Sequence, residues 1–163
     1  LKEAYLGKKI PVDIQRWVVT NNTKTNEMET IYVNLIEGID ENEVIMIKER
    51  GNVFENMKGD IKVVVKIKND TNYVRKGLDL IYTKELTLKE TLVGFKFDLL
   101  HLSGKSYNIN NSDGLIVKHD TKYPIEKLGF KRDGSIGNLI IQFSIKYPDK
   151  LTKEQITKLK EIL

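Results

Sequence analysis

The stretch Leu1-Lys2-Glu3-Ala4-Tyr5-Leu6-Gly7, followed by Lys9-Ile10, returns 87 residues later as Leu88-Lys89-Glu90-Thr91-Leu92-Val93-Gly94, followed by Lys96-Phe97. A second match pairs Gly59-Asp60-Ile61 and its strand with Gly137-Asn138-Leu139 and the strand after it. Each copy runs short helix, glycine, strand, further strands, then glycine-polar-apolar into a closing strand. Self-similarity of this kind points to two tandem units of one design. Leu78 to Thr87 reads as a strand leading into the second helix, whereas the first helix has no such strand before it. The chain is therefore expected to start one strand late in its first unit.

Period-2 patterning fills both units. Ile10, Val12 and Ile14 alternate with Pro11 and Asp13, and Trp17-Val18-Val19 continues towards a polar turn at Asn21-Asn22-Thr23. Thr30–Ile36 and Glu43–Lys48 flank a turn at Gly38, and Ile61–Lys68 follows with Val63 and Val65 on one face. Further strands are predicted over Leu78–Leu86, Phe95–Leu102, Ser106–Ile109, Leu115–Lys118 and Asn138–Tyr147. Helical signals are few. Thr87-Leu88-Lys89-Glu90 and Thr152-Lys153-Glu154-Gln155 both have capping-box spacing. The second precedes an amphipathic run in which Ile156, Leu159, Ile162 and Leu163 share a face, just after the strand-ending Pro148. The predicted fold is mainly β: two tandem β-rich, sandwich-like domains of similar topology, each with a short helix, followed by a C-terminal dimerisation helix. The expected boundaries are 1–76, 77–149 and 150–163.

Composition removes several functions. No apolar run approaches the roughly 20 residues of a membrane helix, so no membrane partner is expected. The absence of cysteine removes disulfides, thiol nucleophiles and Cys-based zinc sites, and fits a reducing, cytoplasmic setting. The net charge of +4 comes from 23 lysines against 4 arginines, spread evenly among acidic residues. That is a solvated surface rather than the Arg-rich groove that grips nucleic acid. His101 and His119 are 18 residues apart without Cys companions, so no metal is expected. Gly104-Lys105-Ser106 has the ending of a phosphate-binding loop, but Leu99 stands where its first glycine belongs and no helix follows; it reads as a hairpin turn. No nucleophile motif or catalytic carboxylate pair is present, so neither an enzyme nor a cofactor is expected.

The run Gly77-Leu78-Asp79-Leu80-Ile81-Tyr82, then Leu88-Lys89-Glu90-Thr91-Leu92-Val93-Gly94-Phe95, resembles the start of the second C-terminal domain of DnaJ-family co-chaperones. Gly137-Asn138-Leu139-Ile140-Ile141 resembles that family's Gly-Asp-Leu strand, and Tyr147-Pro148 before Leu151-Thr152 resembles its hinge into the terminal helix. The four motifs occur in the family's order across essentially all 163 residues. The His-Pro-Asp signature of a J-domain occurs nowhere in this sequence, so this polypeptide by itself is not expected to stimulate the ATPase of a DnaK-type partner. Arg16 to Glu29 stand where class A members insert a Cys-rich zinc module, so the chain resembles class B.

The resemblance implies binding of unfolded client polypeptides by strand addition in an apolar groove of the first domain, for delivery to a DnaK-type chaperone. It places Ile10, Val12 and Ile14 on the groove strand and Val63 opposite. Patterning alone favours ordinary core for these residues; the resemblance favours the groove for Ile10, Val12 and Val63 and leaves Ile14 evenly divided. Pro11, lacking an amide hydrogen, suits an edge strand. Lys8 and Lys9 are the possible contacts for the partner's acidic tail, although Asp13 beside them would repel it. The resemblance also implies a homodimer, with Leu151, Ile156, Leu159, Ile162 and Leu163 as the dimerisation residues; a short helix could instead fold back on its own domain. An adaptor β-module binding one specific protein is the alternative, and a hydrolase using scattered carboxylates a distant third.

Overall fold

The computed structural model describes residues 1–163. The first unit contains α1 (Lys2–Leu6), β1 (Lys8–Thr20), β2 (Thr23–Leu35), β3 (Val44–Ile47), β4 (Val53–Phe54), β5 (Met57–Lys58) and β6 (Ile61–Val64). The second contains β7 (Tyr73–Lys76), β8 (Asp79–Thr87), α2 (Leu88–Val93), β9 (Phe95–Leu100), β10 (Ser106–Asn111), β11 (Lys122–Ile125), β12 (Lys131–Arg132), β13 (Ser135–Ile136) and β14 (Leu139–Lys146). The terminal helix α3 spans Lys153–Ile162.

β1 and β2 form one hairpin paired from Lys8↔Leu35 to Thr20↔Thr23. Its turn is Asn21-Asn22, both with positive φ, the left-handed conformation that asparagine accepts and that a two-residue hairpin requires. The sequence placed that turn correctly but started β2 at Thr30. The residues from Thr23 to Met28, polar apart from Met28, are all exposed and carry no alternation; pairing with β1 makes them a strand. Leu115–Lys118, expected as a strand, has no regular structure; Lys122–Ile125 takes that place and pairs with β14. Pro124 is tolerated there because β11 is the edge of the order β11-β14-β8-β7. Gly104, with φ of 85°, sits in the tight turn between β9 and β10, as read.

The closing turn of the repeat keeps the same hydrogen bonds in both copies, whereas the capping box of α2 has no counterpart in α1. Gly51 N–H donates to Gly59 O at 2.8 Å, and Gly129 N–H to Gly137 O at 2.8 Å. The polar residue after the closing glycine has the same task in both copies. The Asp60 carboxylate accepts the Glu49 amide at 2.9 Å, and the Asn138 side-chain oxygen accepts the Lys127 amide at 3.2 Å. Glu49 and Lys127 are both left-handed, so the acceptor holds a turn that neither residue favours by itself. Gly7 and Gly94 also match: each has positive φ, and a Cβ would meet a backbone oxygen, Leu35 O at 3.1 Å or Asn111 O at 2.2 Å. The first copy differs in its longer hairpin and in its closing sheet. β14 lies between β11 and β8, whereas β6 pairs only with β3. Leu1 N donates to Lys68 O at 2.7 Å, just beyond the end of β6.

Both expected capping boxes are formed. Thr87 Oγ accepts from Glu90 N at 3.3 Å while Glu90 accepts from Thr87 N, and Thr152 with Gln155 repeats the exchange. The main core is an apolar cluster of Tyr73, Leu80, Leu86, Leu99, Leu102, Phe130, Leu139, Ile141 and Phe143, joined by Ala4, Ile39 and Val65 from the first unit, and Ile31 and Val33 are buried apart from it on β2. β7, which precedes residue 77, pairs with β8 in the second unit's sheet.

Candidate functional site

β1 lies between β2 and β4, but β4 pairs with it only at Val18 and Val19. From Lys8 to Arg16 the strand therefore has one neighbour and one open edge, which closes at Trp17, whose amide donates to the Asn52 side-chain oxygen at 3.1 Å. Pro11 lies on this open stretch, where a missing amide hydrogen costs no ladder bond. Alternation puts Ile10, Val12 and Ile14 on one face, all half-buried. Across the hairpin they oppose Val33, Ile31 and Glu29, of which Val33 and Ile31 are only 2% and 5% exposed. Val63 is half-buried in the separate β3–β6 ribbon, opposite Ile45. It shares no ladder with β1, so the four groove residues belong to two sheets. The other face of the hairpin carries Pro11, Asp13 and the exposed Tyr32, and Asp13 accepts the Thr30 hydroxyl at 2.6 Å.

Lys8 and Lys9 are exposed at the base of this strand, beside an open cleft shared with Glu37, Lys131 and Asp133. Lys8 is paired with Glu3, whose carboxyl this ammonium holds below its usual range. The Lys9 ammonium lies 5.2 Å from the Tyr32 ring centre.

α3 has no buried residue. Ile162 and Leu163 are 78% and 89% exposed, and Leu151 and Ile156 are exposed as well. Leu159 alone on the apolar stripe is half-buried; it lines an apolar groove with Leu88, Leu92, Val93, Tyr147 and Leu151. Leu92, Val93 and Tyr147 were not singled out from the sequence. The signal for Leu92 and Val93 was the α2 match within the repeat, and for Tyr147 the hinge motif Tyr147-Pro148. A second apolar depression, under the exposed Leu115 and Ile116, is lined by Phe95, Ile109 and Phe143.

His101 is buried, and both ring nitrogens are engaged. Nε2 donates to Leu128 O at 2.9 Å, and Nδ1 faces the Ser103 hydroxyl at 2.8 Å. Edge-on contacts to Tyr5, Tyr73 and Tyr107 enclose the ring. No group of three or more His, Asp or Glu side chains is placed to hold a metal ion. Chelator treatment is expected to leave the melting temperature unchanged, and a fall reversed by zinc would reveal a site. Burial holds the His101 imidazole below its ordinary value of 6.5, against the opposing effect of the Leu128 carbonyl. The unfolded chain then binds the proton more readily, so stability is complete above about pH 6.5 and falls as the pH drops below it. His101→Gln is expected to flatten that slope in urea titrations; equal slopes would acquit His101.

No helix is long and apolar enough to cross a membrane. The DnaJ C terminal domain family model matches residues 1–148. Among curated proteins, DnaJ protein homolog ANJ1 of Atriplex nummularia is 37% identical over 112 residues, 67% of this chain and 27% of that protein. Chaperone protein dnaJ 3 of Arabidopsis thaliana is 32% identical over 141 residues, 84% of this chain and 34% of its own length. The DnaJ homolog subfamily A member 1 homolog of Dictyostelium discoideum is 34% identical over 130 residues, 78% of this chain and 28% of its own. This chain thus spans about a third of the length of the relatives it matches. A family match over nearly the whole chain, with relatives at 32–37% identity over two thirds of it or more, establishes that the chain belongs to the DnaJ family of co-chaperones through its C-terminal domain region.

Proposed function

We propose that this region holds unfolded client polypeptides for a DnaK-type chaperone and works as a homodimer, binding rather than catalysing. The observation that carries the reading is the open edge of β1 beside the half-buried face of Ile10, Val12 and Ile14. An extended segment added there would gain main-chain hydrogen bonds whatever its sequence, while alternate apolar side chains would supply selectivity. Val63 belongs to the same reading as the far wall of the groove. The cytoplasmic setting expected from the sequence is part of it too.

Capture of the partner's acidic tail by Lys8 and Lys9 has less support. Lys8 is already engaged by Glu3, and Asp13 puts a carboxylate on the same strand. The exposed stripe of α3 supports dimerisation, because Ile162 and Leu163 stand almost fully in solvent and Leu151 and Ile156 are only partly covered within the protomer. Fluorescence anisotropy with a panel of unrelated apolar peptides tests the function. Weak binding of many is the expected result, and tight binding of one alone would favour the adaptor alternative.

A further inference from the structure

We propose that Arg75 and Arg132 form a latch that fixes the first domain on the second, so that the two behave as one rigid arm. This inference stands apart from the client-holding reading, because it concerns only how the two repeats are joined.

Two of the chain's 4 arginines grip one turn of the first domain, Gly38 to Glu43. Arg75 projects from β7, a strand of the second domain's sheet, with its side chain only 12% exposed. Its Nη1 donates to Ile39 O at 2.6 Å, Nη2 to Gly38 O at 2.8 Å and Nε to Gly77 O at 2.9 Å. Asp40 supplies the counter-charge, and the guanidinium carbon lies over the Phe130 ring, 4.1 Å from its centre. Arg132, on β12, takes the Glu43 carboxylate with both terminal nitrogens at 2.7 and 3.0 Å. Such fork-to-fork pairing fixes orientation as well as distance. Lysine could not replace either residue, since a point charge on a flexible stem cannot span two carbonyls and a ring as Arg75 does, or meet both oxygens of a carboxylate in a fixed fork as Arg132 does.

The gripped turn is itself preorganised. The Glu43 carboxylate also accepts Asp40 N at 2.6 Å, and Gly38 N–H donates to Ala4 O at 2.8 Å. Gly38 has φ of 75°, and a Cβ there would lie 2.3 Å from Lys131 O, so the two domains meet backbone to backbone. Ile39, 1% exposed, belongs to the cluster that contains Phe130, and Tyr5 sets its ring edge-on against both His101 and Phe130. Interfaces between domains of one chain ordinarily permit motion. This one combines a shared core with satisfied guanidinium forks. It would fix the angle between the β1 edge and α3, which lie at opposite ends of the chain.

Residual dipolar couplings of backbone amides, measured on the full chain, test the latch. Amides of β1, β2 and β6 and those of β8, β9 and β14 are expected to fit one alignment tensor of equal magnitude in the wild type. In the double variant Arg75→Lys/Arg132→Gln, the two sets should need separate tensors, with their magnitudes differing at least twofold. Separate tensors in the wild type, or a single one in the folded double variant, would overturn the proposal. Should the double variant fail to fold, Glu43→Gln decides. It breaks only one fork and is expected to lower the first domain's alignment relative to the second, and unchanged alignment there would also refute the latch.

Discussion

Replacing Leu159 and Ile162 together by aspartate is expected to give monomers whose β-domains stay folded. Ile162 is exposed in the protomer, and Leu159 touches only the groove edge formed by α2 and the Tyr147-Pro148 hinge. Neither belongs to the shared core, so the substitutions should leave the sheets and their melting behaviour intact. Burying one leucine or isoleucine side chain contributes roughly 1.5–3 kcal/mol, and a twofold interface counts each position twice. Four carboxylates introduced at such an interface would also repel one another. Sedimentation velocity is the measurement. A dimer that survives the substitutions, or a wild type that is monomeric at high concentration, would remove α3 from the interface.

The parts of the fold legible in the sequence are those where a local rule coincides with the tertiary outcome. Ile10-Val12-Ile14 alternates and is a strand, Asn21-Asn22 suits a left-handed turn, and Thr87 and Thr152 cap helices through their own spacing. The repeat told more than any single pattern, because both copies preserve the polar acceptor, Asp60 or Asn138, that holds a left-handed turn. The parts missed are decided by partners far away in sequence. Thr23 to Met28 is a strand because β1 runs beside it, and Leu115–Lys118 lost its predicted strand to Lys122–Ile125, which has β14 to pair with. Tyr73–Lys76 gave no signal of its own, since a short strand holding Arg75 and Lys76 reads as surface until Arg75 is seen beneath Gly38 and Ile39. On the candidate site, alternation put Ile10, Val12 and Ile14 on one face. Only the topology revealed that the edge of β1 beside them is unpaired.

Val12→Asp is expected to abolish suppression of client aggregation and to leave dimerisation unchanged. Val12 is the middle residue of the β1 trio, half-buried and opposite Ile31. A carboxylate there would have to lose water whenever an apolar client side chain came against it. Displacing one such contact costs roughly 1.5–3 kcal/mol, and each 1.4 kcal/mol is about tenfold in affinity. Peptide binding should therefore weaken by at least an order of magnitude. The alternative reading is that Val12 packs inside the domain with Ile31, in which case the same carboxylate would unfold it. The far-ultraviolet circular dichroism of the variant separates the two outcomes, and Val12→Thr, which keeps the shape while adding a hydroxyl, supports the test. In a groove, threonine should weaken peptide binding and leave the melting temperature close to wild type. In a core it should lower the melting temperature and leave peptide binding alone. A folded Val12→Asp protein that protects clients as well as the wild type would move the client site away from this strand, and the exposed apolar depression at Leu115 and Ile116 would be the next place to test.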